Sequence, residues 1–97
     1  MNSRRIMRRG RHLLLLRHDN NHHSVMLRKG SQRIYLGELI GHDFDPLHAF
    51  LCEPGPPYVE AWEPQQPYPF KTQHHAFDTE IEAVDWLIKM ALLKGRL

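Results

Sequence analysis

The strongest constraint on the fold is a helical pattern at the C-terminal end of the chain. Thr79 and Glu82 have the spacing of a capping box, in which the threonine accepts a hydrogen bond in the first turn and the glutamate reciprocates. Lys94 suits the negative end of a helix dipole, and Gly95 is a typical stop signal. The pattern therefore predicts a helix over residues 79–94.

The apolar residues of this helix form two groups at helical spacing. The first group predicts a stripe that packs on a sheet, formed by Ile81, Val84, Ile88, Ala91 and Leu92. The second group, Trp86, Met90 and Leu93, lies nearly opposite and predicts a contact surface for a partner. The alternative is that another part of the chain folds over this second group.

The remainder of the chain contains short apolar runs separated by turn residues. Three of them, residues 12–17, 23–28 and 33–40, predict strands of an antiparallel meander. Residues 58–62 predict an edge strand, because prolines flank them. Residues 47–52 fit a short strand or a helical turn equally well.

These patterns predict one α+β domain over the 97 residues, with a small antiparallel sheet and a C-terminal helix. We expect a basic arm over residues 1–11, mainly β-structure over residues 12–62, and a proline-rich loop over residues 63–78.

Charge is distributed unevenly along the chain. Residues 1–33 carry a formal net charge of +8, whereas the rest carries −6. A basic arm of this kind predicts a partner-binding segment that seeks phosphate or an acidic protein surface, through Arg4, Arg5, Arg8, Arg9 and Arg11. The alternative is a solvated terminal tail.

A proline-rich segment separates the β region from the helix. Pro67 and Pro69 alternate with Tyr68 and Phe70, which gives apolar side chains on a stiff, extended backbone. X–Pro bonds in such segments exchange slowly between cis and trans. The pattern predicts a ligand for a prolyl isomerase or another proline-recognising partner. A rigid spacer is the alternative.

Catalysis and metal binding receive little support from the sequence. The usual motifs for nucleophilic catalysis and for phosphate or dinucleotide binding are absent, so we expect neither an enzyme nor a cofactor. Histidine is abundant, with His18 near His22 and His23, but no pattern of three or four ligands stands out, and we expect no metal site.

The expected location is a reducing cytoplasm. The single cysteine, Cys52, cannot form an internal disulfide and reads as an inert buried thiol. The apolar run Leu13–Leu16 is too short for a signal peptide, and no run approaches the roughly 18 residues that a membrane span needs.

The chain as a whole resembles the small anti-RecBCD accessory recombination proteins of lambdoid phages. The resemblance lies in the chain length, the Arg-rich start Met1–Arg5, the segment Pro67–Phe70 and the helix beginning at Phe77–Thr79. It implies binding to the RecC subunit of the host RecBCD exonuclease–helicase, protection of phage DNA ends and promotion of recombination. It also implies a host prolyl isomerase as an additional partner.

The competing interpretation of the basic N-terminal third is a small nucleic-acid-binding regulator. Direct DNA binding through the arginines is compatible with the charge distribution. No helix-turn-helix pair accompanies them, and the predicted helix lacks a basic face.

Overall fold

Short connections join the first four strands of an antiparallel meander. The computed structural model describes residues 3–19, 21–42, 58–64 and 74–97. In them, one C-terminal helix packs on a sheet whose six strands lie in sequence order, so the predicted α+β fold class is confirmed. The elements are β1 (Ser3–Arg8), β2 (Arg11–Asp19), β3 (His22–Lys29), β4 (Gln32–His42), β5 (Tyr58–Trp62), β6 (His74–Phe77) and α1 (Glu80–Leu93).

The Arg-rich N-terminus is a strand, so the prediction of a basic arm over residues 1–11 was wrong for the residues described. Arg9 and Gly10 both have positive φ, 52° and 75°, as the two-residue turn of a hairpin requires. This turn pairs β1 with β2 from Ser3 opposite Leu16 to Arg8 opposite Arg11. The charge of the segment hid its strand pattern, because long arginine stems can pack along an apolar surface.

The predicted proline-rich loop, residues 63–78, also contains a strand. β6 pairs with β5 from Val59 opposite Phe77 to Trp62 opposite His74. Because β5 also pairs with β4, it is an interior strand and not the predicted edge strand. Residues 47–52, Cys52 among them, and Pro67–Phe70 lie outside the described residues.

One face of the sheet and one face of the helix form the core. Alternate residues of β2 and β3 point inwards, as expected for strands with one covered face. The buried sheet residues are Leu13, Leu15, Val25, Leu27, Leu36, Leu39 and Ala61, and the helix contributes Ala83, Val84, Leu87, Ile88 and Ala91.

The helix was placed correctly, but its buried stripe was not. Thr79 is the N-cap and its Oγ1 accepts from the backbone N–H of Glu82 at 3.2 Å. Ile81 and Leu92, both predicted to be core, are 47% exposed. At about 100° per residue, the buried stripe is rotated by roughly 60° from the predicted one. The predicted stripe omitted Ala83 and Leu87, which are both buried.

A bulge in β4 brings the sheet backbone against the helix. The register between β3 and β4 shifts at Val25 and Met26, whose partners are Gly37 and Tyr35, so Leu36 is the additional residue. Gly37 has φ 146°, and a Cβ there would lie 2.1 Å from the carbonyl oxygen of Trp62 and 2.9 Å from Cδ2 of Leu87. The close approach of β5 and α1 therefore requires glycine at this position.

Both edges of the sheet contact the same helix. Arg4 and Arg8 of β1 form ion pairs with Glu80 and Asp85 of α1, and the ring of Phe77 in β6 lies 5.9 Å from that of Trp86. Six strands at about 4.8 Å spacing span roughly 24 Å, about twice the diameter of a helix. The long arginine side chains of β1 extend the reach of that edge strand to the helix.

The rotated stripe predicts a large loss of stability for one isoleucine of α1 and a small change for another. Ile88→Ala should lower the free energy of unfolding by about 2–5 kcal/mol, because Ile88 is in the core. Ile81→Ala, the matched control, should change it by less than about 1 kcal/mol, since half of that side chain faces water. Chemical denaturation measures both. Equal losses in the two variants would contradict the observed orientation of the helix.

Gly37→Ala should destabilise the fold by more than about 2 kcal/mol, because the added methyl overlaps the β5 backbone and Leu87. The control is Gly30→Ala, where φ is 62° but nothing lies within 4 Å of the added carbon. It should cost about 1 kcal/mol, from backbone strain alone. Thermal denaturation measures the stability of both variants. Equal stabilities would contradict the close approach of β5 and α1 at Gly37.

Candidate binding surface

The N-terminal arginines divide between the two faces of the sheet. Arg4 and Arg8 point towards the helix, since they pair in β1 with Leu15 and with Arg11 on the covered side. Arg4 Nη2 forms an ion pair with Glu80 Oε1. Arg5 points to the opposite side, because its partner in β2 is Leu14. The five predicted binding arginines therefore do not form one patch.

Arg8 and Asp85 form a two-pronged ion pair between β1 and α1. Arg8 Nε donates to Asp85 Oδ1 at 3.0 Å, and Nη2 donates to Oδ2 at 2.7 Å. These hydrogen bonds lower the pKa of the Asp85 carboxyl below its ordinary value, against the opposing effect of burial. Arg8 thus connects the edge strand β1 to the helix through two hydrogen bonds.

A second group of ion pairs connects the C-terminal end of the helix to the residue that follows β5. Glu63, which follows β5, is 2% exposed, and its carboxylate accepts from Lys94 Nζ at 3.0 Å and from Arg96 Nη2 at 3.5 Å. The helix ends beside this pair, with Gly95 at φ 69°. Nothing in the sequence indicates that Glu63 is buried, since the residue stands next to a proline in a polar stretch.

The sheet face away from the helix, here called the open face, carries no other described element. The strand registers arrange its side chains in rows that cross the sheet. The row at the end near the β1–β2 and β3–β4 turns is Met7, His12, Arg28 and Arg33. The second row is Arg5, Leu14, Met26 and Tyr35, and the third is Ser3, Leu16, Ser24, Glu38, Trp62 and His74.

The first two rows combine positive charge with apolar surface. Arg5, Arg28 and Arg33 surround a cavity of about 370 Å³ whose floor includes Leu14 and Met26. Leu14 and Met26 are half-buried, whereas the three arginines are exposed. We call Arg5, His12, Arg28 and Arg33 the basic end of the open face. It offers guanidinium groups beside a hydrophobic floor, which suits an anionic partner with apolar contacts.

Of the five predicted binding arginines, Arg5 alone lies on this surface. Arg9 lies exposed in the β1–β2 turn, and Arg11 is half-buried opposite Arg8. Arg28 and Arg33 were not predicted, because the distribution of charge along the chain does not show which face of a strand a side chain occupies. Alternation along β3 and β4 could have identified them as facing the same side as Leu14.

The predicted helix patch is divided in the structure. Trp86 is half-buried against β6, with ring contacts to Phe77 and to His75, whose centroid lies 6.2 Å away. Met90 is half-buried, and Leu93 is 69% exposed. A short strand at the end of the predicted loop therefore covers much of the Trp86 ring, so the three residues do not form the expected exposed cluster.

The predicted prolyl-isomerase segment, Pro67–Phe70, lies outside the described residues. The strands that precede and follow it in the chain are paired. Trp62 at the end of β5 is opposite His74 at the start of β6, and the two rings stack with their centroids 4.1 Å apart. The chain therefore leaves the sheet at β5 and returns to it at the neighbouring strand β6.

Comparisons with protein-family models, with characterised proteins and with solved structures found no match for the chain. In the described part of the chain, no helix has the length and apolar character needed to cross a membrane.

The lowered pKa of Asp85 predicts a pH-dependent contribution to stability. Because folding depresses this pKa, the stabilisation is present above the ordinary aspartate value of about 3.9 and is lost as the pH falls through the lowered value. Asp85→Asn should therefore lower the melting temperature at neutral pH, and its difference from wild type should shrink under acid conditions. Glu82→Gln, at an exposed position on the same helix, should show little difference at either pH. A constant difference for Asp85→Asn would argue against the ion pair.

Proposed function

We propose that the protein binds the RecC subunit of the host RecBCD exonuclease–helicase in the bacterial cytoplasm. Bound there, it changes how the complex processes DNA ends, which protects phage DNA and promotes recombination. It acts by binding and not by catalysis. The proposal joins the family resemblance of the sequence to one structural observation, the basic and apolar open face of the sheet.

The chemistry of the open face supports a protein partner. Tyrosine, tryptophan, methionine and arginine are the side chains enriched in protein interfaces. The open face presents Tyr35, Trp62, Met26 and the arginines of the basic end on neighbouring strands. A sheet also supplies a rigid frame, so little backbone conformational entropy is lost on binding.

Direct nucleic-acid binding is the second candidate, and the basic end is the observation that favours it. Phosphate contacts need cations spread along the path of the backbone. The cations of the open face lie at one end, whereas Glu38 and Glu60 occupy the rows at the other end. The first turn of α1 carries Glu80 and Glu82. This distribution favours an acidic protein surface over a nucleic-acid strand.

The proposal predicts that the basic end contributes to RecBCD binding. The double variant Arg28→Gln/Arg33→Gln should bind purified RecBCD about tenfold more weakly, with a smaller dependence on salt. Lys89→Gln, which removes a positive charge from the exposed side of the helix, is the control and should bind as wild type does. Surface plasmon resonance at several salt concentrations measures the difference.

Capture from a bacterial lysate separates the two candidates. After nuclease treatment, the wild-type protein should still retain RecBCD. Loss of every partner on nuclease treatment, together with tight binding of purified duplex DNA, would replace the proposal with the nucleic-acid alternative.

We also propose a host prolyl isomerase as a second partner, bound at Pro67–Phe70. The support is the alternation of proline with aromatic residues in a segment that lies in sequence between the paired strands β5 and β6. Adding isomerase to the isotope-labelled protein should shift the NMR signals of Tyr68 and Phe70. The variant Pro67→Ala/Pro69→Ala should abolish these shifts, and unchanged spectra of the wild-type protein would show that the segment is a spacer.

A further inference from the structure

Three potential metal ligands lie together on the open face, at the end opposite the basic end. His18 comes from the end of β2, His22 from the start of β3 and Glu38 from the middle of β4. One ligand atom from each lies within 4.8 Å of those of the other two. His22 and Glu38 are half-buried, and His18 is exposed.

A β-bulge explains why the two histidines meet. In the β2–β3 pairing, Arg17 is opposite His23 and Asp19 is opposite His22, which leaves His18 as the additional residue. Such a bulge redirects a side chain and is common beside functional sites. Here it brings the His18 ring over the His22 ring, with 4.7 Å between their centroids.

Hydrogen bonds already orient the third ligand towards the histidines. The Oε1 atom of Glu38 accepts from His22 Nε2 at 2.6 Å and from the Ser24 hydroxyl at 3.0 Å. The Tyr35 hydroxyl donates to the other oxygen, Oε2. His18 Nε2 lies 2.6 Å from the Ser24 hydroxyl oxygen. Tyr35 therefore holds the Glu38 carboxylate in place through Oε2, the oxygen that does not contact His22.

The arrangement matches the requirements of a zinc ion. Zinc binds imidazole nitrogen and carboxylate oxygen at roughly 2.0–2.2 Å, which places tetrahedral ligand atoms about 3.4 Å apart. The distance from His22 Nε2 to Glu38 Oε1 is 2.6 Å, and the ligand atoms of the three residues all lie within 4.8 Å of one another. The tetrahedral spacing falls between these two distances. Shifts of about 1 Å in the ligand atoms would bring them to the tetrahedral spacing. Such shifts are open to all three side chains, since none of them belongs to the buried core.

We propose that His18 Nε2, His22 Nε2 and Glu38 Oε1 form a binding site for Zn²⁺, with water as the fourth ligand. Zinc binding through Nε2 requires that each neutral imidazole carries its ring proton on Nδ1, so the His22 proton moves from the nitrogen that faces Glu38 to the other ring nitrogen. Tyr35, through its hydrogen bond to Oε2, keeps the carboxylate oriented in the manner of an outer-shell partner. Because the three ligands come from three adjacent strands, the ion would cross-link the end of the sheet.

Zinc titration of the full-length protein near neutral pH tests this site. Calorimetry should detect Zn²⁺ binding, and Mg²⁺, which prefers oxygen ligands, should not compete. His22→Gln and Glu38→Gln should each weaken Zn²⁺ binding by at least about tenfold. His23→Gln is the matched control and should bind as wild type does, because His23 lies next in sequence but faces the helix side of the sheet.

NMR of the wild-type protein gives a test that does not depend on the folding of any variant. Zn²⁺ should shift the ring-nitrogen signals of His18 and His22 and leave those of His23 and His75 in place. The site is refuted if the His18 and His22 signals do not move. It is also refuted if Glu38→Gln binds Zn²⁺ as tightly as wild type, or if His23→Gln weakens binding as much as His22→Gln.

Discussion

The fold depends on the contact of one helix with both edges of the sheet. At one edge, Arg4 and Arg8 of β1 pair with acidic side chains of α1, and at the other edge Phe77 of β6 packs near Trp86. Between them, the buried stripe of α1 covers the leucines and Val25 of the central strands. Long arginine side chains span the distance from β1 to the helix, so ion pairs connect this edge strand to α1.

The same contact determines which side chains are free for binding. Strand alternation sends Arg4 and Arg8 to the helix and Arg5 to the open face, although all three belong to one run of basic sequence. The helix-side arginines are engaged in structural ion pairs. Charge available to a partner therefore comes from three different strands, with Arg28 of β3 and Arg33 of β4 beside Arg5.

Two β-bulges help to make the two ends of the open face chemically different. The bulge in β4 allows Gly37 to approach β5 and the helix, and the register beyond it places Glu38 opposite Ser24. The bulge in β2 directs His18 towards His22. One end of the face is consequently basic and apolar, and the other carries a hydrogen-bonded cluster of histidine and carboxylate groups. The arginines of the proposed protein contact and the ligands of the proposed zinc site lie at these separate ends, whereas Tyr35 and Trp62 lie beside Glu38.

The sequence determined the elements whose signals are local. The capping box at Thr79, the turn glycines and the alternating runs of β2 to β4 specify backbone conformation over a few residues, and the α+β class follows from them. β1 and β6 could not be recognised in this way, because polar side chains mask their pattern and each is stabilised by pairing with a neighbour. Tertiary structure alone decided the rotation of the helix, the burial of Glu63 and the meeting of His18, His22 and Glu38. Each of these depends on strand register and on the packing of the helix against the sheet, which bring together residues from different elements.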